Sequence, residues 1–370
     1  MKEIRKILIM KFRNIGDVLL STPLISQLAR IYPKAKIHFA LNDGTQAVLE
    51  QNPYIEKLHI YQRERIKKGG FLARLKAEFA YFKSLKNENF DLIIQSTSGE
   101  RGIILGALCR PRALIAYKSK NAFLNRFITH FLPAQGLRHS VICNLDAIKI
   151  LNYEPTSAQV SIYFDDFSNF FSAKNALPAN FIHMHAMSRW LFKCASDEIN
   201  AQIIDFCELE LGIKVVLTCA NDEKEIQKSK QILNLAKAKP LSFLGTLNLK
   251  QVAFLSSKSR LFIGADTAIM HIAAAVDTPV IALFGPSGAM HWGPWDNSFL
   301  HSAYTQKNGL QNMGKHSVIQ HSWDCVPCGK DGCDGSKISR CLNELDIKII
   351  KNIIVEKIAK MATVPVIVQA

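Results

Sequence analysis

Short apolar runs alternate with longer amphipathic stretches along most of the chain. The runs are rich in Val, Ile and Leu, as in buried parallel strands, and the stretches between them have the 3.6-residue spacing of helices. The predicted strands are residues 6–11, 36–41, 91–95, 180–185, 214–218, 241–244, 260–263 and 280–284. The predicted helices are residues 18–31, 197–211, 223–238, 249–256, a segment that follows Asp266, and 346–361.

This alternation predicts an α/β fold built from two doubly wound, Rossmann-like parallel sheets. The pattern restarts after about residue 175, so we predict a first domain over 1–175 and a second over 176–345, with a linker near 165–178. The remaining segment, 346–370, carries the last helix, which can pack back across the first domain. The chain of 370 residues is 48% hydrophobic, enough to give each domain its own core.

The formal net charge of +15 narrows the class of partner. Such a charge suits nucleic acid, an anionic membrane surface or a phosphorylated substrate. The basic residues are scattered and form no nucleic-acid-binding module, so we expect no nucleic-acid partner. No run of 18 apolar residues occurs, and Lys11 interrupts the first apolar run too early for a signal peptide. We therefore expect a cytoplasmic protein.

Gly16 and Asp17 follow the first predicted strand. Ligands of open α/β sheets bind at the carboxyl ends of the strands, where a carboxylate can act as a general base. An Asp at this position is equally typical of a helix cap. The motif alone leaves both interpretations open.

A second motif, FIGADTAIMHIAAA at residues 262–275, places a Gly turn between a strand and a helix. The free N–H groups at the start of that helix suit a phosphate, and the Thr267 hydroxyl adds a donor. His271 lies about one helical turn after Asp266 and Thr267, so it either faces the same site or is a core histidine.

Two further segments follow predicted strands. Lys193, in SRWLFKC at residues 188–194, is either a diphosphate ligand or a solvated surface lysine. The loop FGPSGAMHWGPWDN at 284–297 is rigid and aromatic, as functional loops often are, although a well-packed turn has the same composition.

Four cysteines follow in the order Cys325, Cys328, Cys333 and Cys341. A CxxC pair with two further cysteines fits a tetrahedral structural zinc site, and reduced thiols or a redox pair are the alternatives. We find no His or carboxylate cluster typical of a catalytic metal.

Residues 63–86 combine basic residues with apolar residues at helical spacing. A basic amphipathic helix is typical of membrane-surface binding, but its apolar face can equally dock on the sheet. We assign Arg63, Lys67 and Lys68 of this segment, with Gly16, to the acceptor side of a site.

In this order the motifs resemble the ADP-heptose–lipopolysaccharide heptosyltransferases of glycosyltransferase family 9. The specific parts are IGDV at 15–18 and GADTAIMH at 264–271, and the 284–297 loop with the cysteine segment is most similar to the heptosyltransferase III branch. The resemblance implies a GT-B fold whose two domains face a donor cleft. It also implies an inverting transferase without a catalytic metal.

The resemblance also implies roles for individual residues. Asp17 would be the general base on the acceptor hydroxyl, Lys193 would bind the donor diphosphate, and Asp266 would hold heptose hydroxyls. Three residues would line the phosphate end of the donor: Thr267, Ala268 and His271. Glu223 would contact the nucleoside.

The implied reaction moves a heptose from ADP-heptose to the inner core of lipopolysaccharide, on the cytoplasmic face of the inner membrane. A phosphorylated, membrane-embedded acceptor accounts for the +15 charge. Two alternatives remain: a family-9 transferase with another sugar or acceptor, and a GT-B-fold sugar-nucleotide epimerase.

Overall fold

The computed structural model describes residues 3–63, 66, 70–174 and 176–362, and the chain divides into two compact units. Unit 1 comprises Met1–Tyr163 with Phe299–His301, and unit 2 comprises Phe164–Ser298 with Ser302–Ala370. The boundary precedes the predicted residue 175. The reason is that Phe171 packs against Phe243 and Phe254 in a core cluster of unit 2.

Unit 1 contains a sheet of six parallel strands in the order β3-β2-β1-β4-β5-β6. The strands are β1 (Lys6–Lys11), β2 (Lys36–Asn42), β3 (Lys57–Tyr61), β4 (Leu92–Gln95), β5 (Ala113–Tyr117) and β6 (His130–Leu132). The central strand β1 is apolar and buried after its first residue because it has a neighbour on each side, with Ile9 paired to Phe39 and Ile94. The prediction is confirmed for β1, β2 and β4, and it missed β3, β5 and β6.

The helices of unit 1 are α1 (Ile15–Leu19), α2 (Thr22–Ile31), α3 (Phe71–Lys86), α4 (Glu100–Cys109), α5 (Ala122–Asn125) and α6 (Ser140–Ile150), with a 3₁₀ turn at Gln46–Val48. The single helix predicted over 18–31 is wrong in one respect, because it is broken at Ser21. Pro23 has no N–H to donate to the carbonyl of Leu19, and the Thr22 hydroxyl donates to that carbonyl instead, at 2.8 Å. The helix also starts earlier than predicted, so that Asp17 lies inside α1.

Unit 2 contains seven strands in the order β12-β13-β11-β10-β7-β8-β9, parallel except for the β12–β13 pair. They are β7 (Phe181–His185), β8 (Lys214–Cys219), β9 (Leu241–Leu244), β10 (Leu261–Ala265), β11 (Val280–Phe284), β12 (Gln311–Met313) and β13 (His316–Gln320). The five predicted strands β7 to β11 are confirmed within one or two residues. The prediction missed β12 and β13, which extend the sheet beyond β11.

The helices of unit 2 are α7 (Ser168–Lys174), α8 (Asp197–Asp205), α9 (Glu223–Leu235), α10 (Leu249–Lys258), α11 (Ala268–Ala275), α12 (Ala289–Trp292), α13 (Arg340–Asn343) and α14 (Ile347–Ala362). A π turn, Phe206–Glu210, continues α8 up to Gly212, whose φ of +66° ends it. The C-terminal helix α14 packs on α8, and its Ile350, Ile353 and Ile354 belong to the core of unit 2. The buried face of α14 therefore belongs to the core of unit 2.

In each sheet, successive strands are added first on one side of the unit's first strand and then on the other side. Strand β1 lies between β2 and β4 in unit 1, and β7 lies between β8 and β10 in unit 2. The crevice at the carboxyl ends of such strands is the place where doubly wound folds bind ligands. The predicted site residues Asp17, Lys193 and Asp266 all follow one of these strands.

Candidate functional site

In unit 2, the ends of β7 and β10 bring Lys193 and Asp266 together. Lys193 ends a 3₁₀ turn (Leu191–Lys193) in the segment after β7, and Asp266 directly follows β10. The Lys193 Nζ lies 2.7 Å from Asp266 Oδ2. The Asp266 side chain is only 6% exposed, whereas that of Lys193 is 25% exposed. The ammonium is thus held by a buried carboxylate while part of it stays open to an anion.

The start of α11 adds hydrogen-bond donors at the same strand end. Thr267 is the N-cap residue, but its side chain makes no capping hydrogen bond. Its Oγ1 is buried and, in the described part of the chain, has no hydrogen-bond partner. The first N–H groups of a helix also have no partner within the helix, and the helix dipole places partial positive charge there. An unpaired hydroxyl and free N–H groups together suit a phosphate oxygen.

His271 lies one turn further along α11 and is buried. Burial lowers the pKa of its imidazole to about 4, with Asp266 acting to raise the pKa and Lys193 to lower it. The side chain is therefore neutral at pH 7, and its Nδ1 has no hydrogen-bond partner among the described residues. The sequence left a site role and a core role open. The structure shows a buried histidine whose pKa is influenced by Asp266 and Lys193, and the site role of His271 stays a prediction.

A buried polar ladder lies behind this pair, and the sequence analysis did not identify it. His183 bonds to Ser256 Oγ at 2.9 Å and to Thr218 Oγ1 at 2.8 Å, and His185 bonds to the same Thr218 oxygen at 2.9 Å. Gly264 approaches the His185 carbonyl so closely that a Cβ atom would lie 2.4 Å from that oxygen. The ladder joins β7 to β8 through Thr218 and to α10 through Ser256. Its signal in the sequence was two histidines in alternate positions of a buried strand.

The loop at 284–297 follows β11, next to β10 in the sheet. The amide of Gln320 donates to the carbonyls of Gly285 and Ser287, both at 2.7 Å. Trp295 is buried, whereas Ser287 and Trp292 are partly exposed. Packing therefore accounts for the beginning of the loop and for the segment around Trp295, whereas the middle of the loop, between Ser287 and Trp292, is partly accessible.

Glu223 lies in the first turn of α9 with an exposed side chain, and its Oε1 accepts from Gln227 Nε2 at 2.8 Å. Two residues on, Glu225 is buried and accepts from the backbone N–H of Ala220 at 3.0 Å. Burial raises the pKa of Glu225. The nucleoside role expected for Glu223 stays a prediction, and Glu225 is a second carboxylate that the sequence analysis overlooked.

In unit 1, Gly16 and Asp17 lie at the carboxyl end of β1, in α1. Lys11, the last residue of β1, is buried and donates to the Ser96 carbonyl at 2.9 Å and to Asn144 Oδ1 at 3.0 Å. Burial lowers the pKa of Lys11 to about 8, and the charge of Asp17 opposes this shift. Sequence reasoning did not identify this buried lysine or its electrostatic interaction with Asp17. The signal was a lysine at the end of an otherwise apolar buried strand.

The basic segment at 63–86 is only partly as predicted. Arg63 is exposed, and Lys67 and Lys68 lie outside the described residues. The helix starts at Phe71. Its first six residues are exposed and its later residue Leu85 is buried, so the second half of the helix docks on the domain. The membrane-surface interpretation of the first half stays a prediction.

The four cysteines of the zinc prediction lie close enough to influence one another. The pKa of Cys341 is raised to about 11, mainly by burial and further by the negative charges of Cys333, Cys328 and Cys325. Cys325 and Cys328 are exposed and Cys341 is buried. Among the described residues, one group of three potential metal ligands has all its ligand atoms within 4.8 Å of one another, and it does not include these cysteines.

That group is His38, His59 and Glu88 in unit 1. His38 Nδ1 and His59 Nε2 are 3.0 Å apart and hydrogen-bond to each other. The Glu88 oxygens are bound by Lys6 Nζ at 3.0 Å and Lys57 Nζ at 2.7 Å. Because every ligand atom already has a partner, the group forms a satisfied structural network at the amino ends of the strands.

Residues 79–321 match the family model of glycosyltransferase family 9 (heptosyltransferase). Lipopolysaccharide heptosyltransferase 3 of Escherichia coli is 30% identical over 77% of this chain and 85% of its own length. The lipopolysaccharide core heptosyltransferase OpsX of Haemophilus influenzae is 24% identical over 85% of this chain and 88% of its own.

Solved structures share the fold of the chain. The family 9 glycosyl transferase of Veillonella parvula aligns with a TM-score of 0.80 at 17% identity, over 97% of this chain and 99% of its own. E. coli heptosyltransferase WaaC with ADP aligns with a TM-score of 0.71 at 18% identity, over 95% and 99%. These likenesses confirm the predicted GT-B type of fold. In the described part of the chain, no helix is both long and apolar enough to cross a membrane.

Proposed function

The chain belongs to glycosyltransferase family 9, and we propose that it transfers a heptose from ADP-heptose to the inner core of lipopolysaccharide. The relatives named lipopolysaccharide heptosyltransferase 3 support heptose transfer to lipopolysaccharide, and the solved E. coli heptosyltransferase with ADP supports an ADP-linked donor. We further propose that the product carries a branch heptose. The family match and these relatives do not favour the sugar-nucleotide epimerase considered from the sequence. The observation that supports the proposal most directly is in unit 2, where an ammonium and unpaired hydrogen-bond donors meet at the ends of β7 and β10 and can bind an anion.

The donor diphosphate binds at this strand end. Lys193 supplies a partly exposed ammonium, and the start of α11 supplies the N–H of Ala268 and the unpaired hydroxyl of Thr267. Departure of ADP builds negative charge on the diphosphate, and groups already oriented toward that charge stabilise the transition state. The neutral His271 donates a hydrogen bond without adding a second cation.

Asp266 has two roles in this proposal. Its Oδ2 orients Lys193, and its second carboxylate oxygen accepts hydrogen bonds from hydroxyls of the heptose. Glu223, in the exposed first turn of α9, is proposed to contact the nucleoside.

Asp17 acts as the general base in unit 1. A sugar hydroxyl is a weak nucleophile, and a positioned carboxylate that accepts its proton contributes roughly 10²- to 10⁴-fold to the rate. The buried ammonium of Lys11 favours the ionised form of Asp17. Direct attack on the donor by the activated hydroxyl inverts the anomeric centre and needs no metal. Gly16, and the basic residues Arg63, Lys67 and Lys68, belong to the acceptor side.

We further propose that the enzyme is cytoplasmic and peripheral to the inner membrane, where the lipid-linked acceptor is presented. The net charge of +15 supports attraction to a phosphorylated acceptor and to anionic lipids.

A structural zinc ion at the four cysteines remains part of the proposal, without a catalytic role. The residue types fit, since four thiolates are a typical zinc ligand set. The four sulfurs do not form a group whose atoms all lie within 4.8 Å of one another, so zinc binding would require this segment to bring them closer together.

The purified chain, incubated with ADP-heptose and a core acceptor lacking the branch heptose, tests the function. We expect release of ADP and an acceptor heavier by one heptose. Conversion of the donor to an epimer without acceptor would contradict the proposal.

A further inference from the structure

One surface of unit 1 exposes a group of large apolar side chains, which is unusual for helices that face only water. The N-terminal half of α3 contributes Phe71, Leu72, Leu75 and Phe79, which are 76%, 79%, 51% and 65% exposed. The neighbouring helices contribute exposed apolar side chains as well: Ile104, Leu108, Phe123 and Phe127. We call these eight residues the apolar face. Scattered exposed apolar residues are ordinary, but a group of this size on adjacent helices marks an interaction surface.

The helices that carry the apolar face lie side by side. Helix α3 packs on α4, and α4 packs on α5. Arg101 of α4 forms an ion pair with Glu78 of α3 at 2.9 Å. The phenyl rings of Phe123 and Phe127 contact each other edge to face, with centroids 5.4 Å apart. The apolar face is therefore one structural feature of unit 1, not several separate ones.

The two halves of α3 differ in how they are held. In the second half, Leu85 is fully buried and the Tyr81 hydroxyl donates to the His59 carbonyl at 3.1 Å. In the first half, residues 71–76 are exposed on every side of the helix. A helix that docks only on its own domain buries one apolar stripe. The first half of α3 instead extends from the domain with phenylalanine and leucine exposed to solvent.

The charge around the apolar face indicates what covers it. Helix α3 carries four basic residues and one acidic residue, and the segment 100–131 carries six basic residues and one acidic residue. Two copies of this chain would bring like charges together at this face, which disfavours self-association. An anionic lipid surface offers acyl chains to the apolar residues and phosphates to the basic ones.

We propose that the apolar face inserts into the headgroup region of an anionic phospholipid bilayer, with the N-terminal half of α3 as the inserted element. The inference rests on the proposed function, since a lipid-linked acceptor requires the enzyme to work at a membrane. It goes beyond that function because it assigns the attachment to one face and to one class of lipid, independently of the acceptor.

Vesicle flotation of the purified full chain tests the proposal, with vesicles that contain no lipopolysaccharide. One set consists of phosphatidylcholine alone and the other contains phosphatidylglycerol in addition. We expect at least tenfold tighter binding to the anionic vesicles and at least tenfold loss of that binding in the variant Phe71→Ser/Leu72→Ser/Leu75→Ser. A matched control, Leu209→Ser/Leu235→Ser, removes exposed leucines of unit 2 and should bind as the unchanged chain does. The charge variant Arg74→Glu/Lys76→Glu should lose the preference for anionic lipid.

Equal binding of the triple-serine variant and the unchanged chain would overturn the proposal, as would equal binding to both vesicle types. A dimer in sedimentation velocity that becomes monomeric in the triple-serine variant, with vesicle binding unchanged, would assign the face to a second copy instead. Transfer to a soluble, deacylated acceptor should be the same in the triple-serine variant and the unchanged chain. If the unchanged chain transfers no sugar but binds anionic vesicles through the apolar face, the proposed function is wrong and the membrane-binding role of the apolar face is supported.

Discussion

Lys193 and Asp266 are 73 residues apart in the chain, and their side chains meet at 2.7 Å. The contact follows from topology: β7 and β10 are parallel neighbours, so the segments after them leave the sheet at the same edge. A carboxylate that is nearly inaccessible holds an ammonium that is partly exposed. A partly exposed ammonium held by a buried carboxylate is the arrangement that we propose binds the donor diphosphate.

Replacing Lys193 with Met should weaken donor binding. We expect the Kd for ADP and the KM for ADP-heptose to rise roughly tenfold or more, since a lost charge-assisted hydrogen bond of about 1.4 kcal/mol corresponds to a factor of ten. Calorimetric titration with ADP and steady-state kinetics measure the two quantities. Lys348→Met, an exposed lysine on α14, is the control. Unchanged ADP affinity in Lys193→Met would remove Lys193 from the donor site.

Asp17→Asn should abolish transfer without affecting donor binding. Asn keeps the shape of the side chain but cannot accept the proton, so we expect kcat to fall roughly 10²- to 10⁴-fold. ADP affinity, measured by calorimetry, should stay within about twofold, because Asp17 is proposed to act on the acceptor hydroxyl and not on the diphosphate. The exposed Asp43 offers the matched control Asp43→Asn. Full turnover in Asp17→Asn would exclude Asp17 as the base.

Lys11 should set the pH profile of the reaction. Its pKa of about 8 means that Lys11 is charged throughout the acidic range, where its ammonium opposes protonation of the Asp17 carboxylate. We therefore expect Lys11→Met to move the acidic limb of the kcat/KM profile upward. Lys11→Arg keeps the charge and should leave that limb in place. Identical profiles in all three proteins would show that Lys11 is only a structural residue.

Several buried histidines should make the fold sensitive to acid. Burial lowers the pKa of His59, His185 and His271 to about 4. The unfolded chain, with histidine pKa values near 6.5, binds these protons first as the pH falls. Stability is thus complete above about pH 6.5 and decreases between pH 6.5 and 4, by about 1.4 kcal/mol per pH unit for each such histidine.

Urea unfolding at pH 7 and pH 5 measures this dependence. His59→Gln should show a smaller loss of stability between the two pH values than the unchanged chain. The exposed His301 provides the control His301→Gln, which should not alter the difference. Equal stability of the unchanged chain at both pH values would contradict the assignment of neutral buried histidines.

The cysteine segment gives a prediction that does not depend on activity. If the four thiols hold zinc, the purified chain should contain about one zinc ion per molecule by elemental analysis, and Cys328→Ser should lose it. Cys109→Ser removes a thiol from α4 in unit 1 and should retain the metal. Absence of metal from the chain after purification from zinc-supplemented cells would contradict the zinc site and indicate that the cysteines are thiols.

Much of the fold was predictable because buried parallel strands are continuous apolar runs, as β10 and β11 are. The break between α1 and α2 was not predicted, although Pro23 signals it, because apolar periodicity continues across the break. The outer strands β3 and β12 were missed because a strand with one neighbour buries fewer residues and lacks a clear apolar run.

The site was predictable to the extent that a strand end determines position. Asp17, Lys193 and Asp266 were identified because each follows an apolar run. Lys11 was overlooked because the contacts that bury it come from Ser96 and Asn144, which are 85 and 133 residues away. Three-dimensional neighbours of this kind leave no local pattern in the sequence.

Mass analysis of lipopolysaccharide tests the central claim most directly. A strain that lacks this chain is complemented with the unchanged protein or with Asp17→Asn, and the core oligosaccharides are compared. We expect the core to be lighter by one heptose in the strain without the chain, to be restored by the unchanged protein, and to stay light with Asp17→Asn. A core of the same mass in all strains would contradict heptose transfer as the function of this protein.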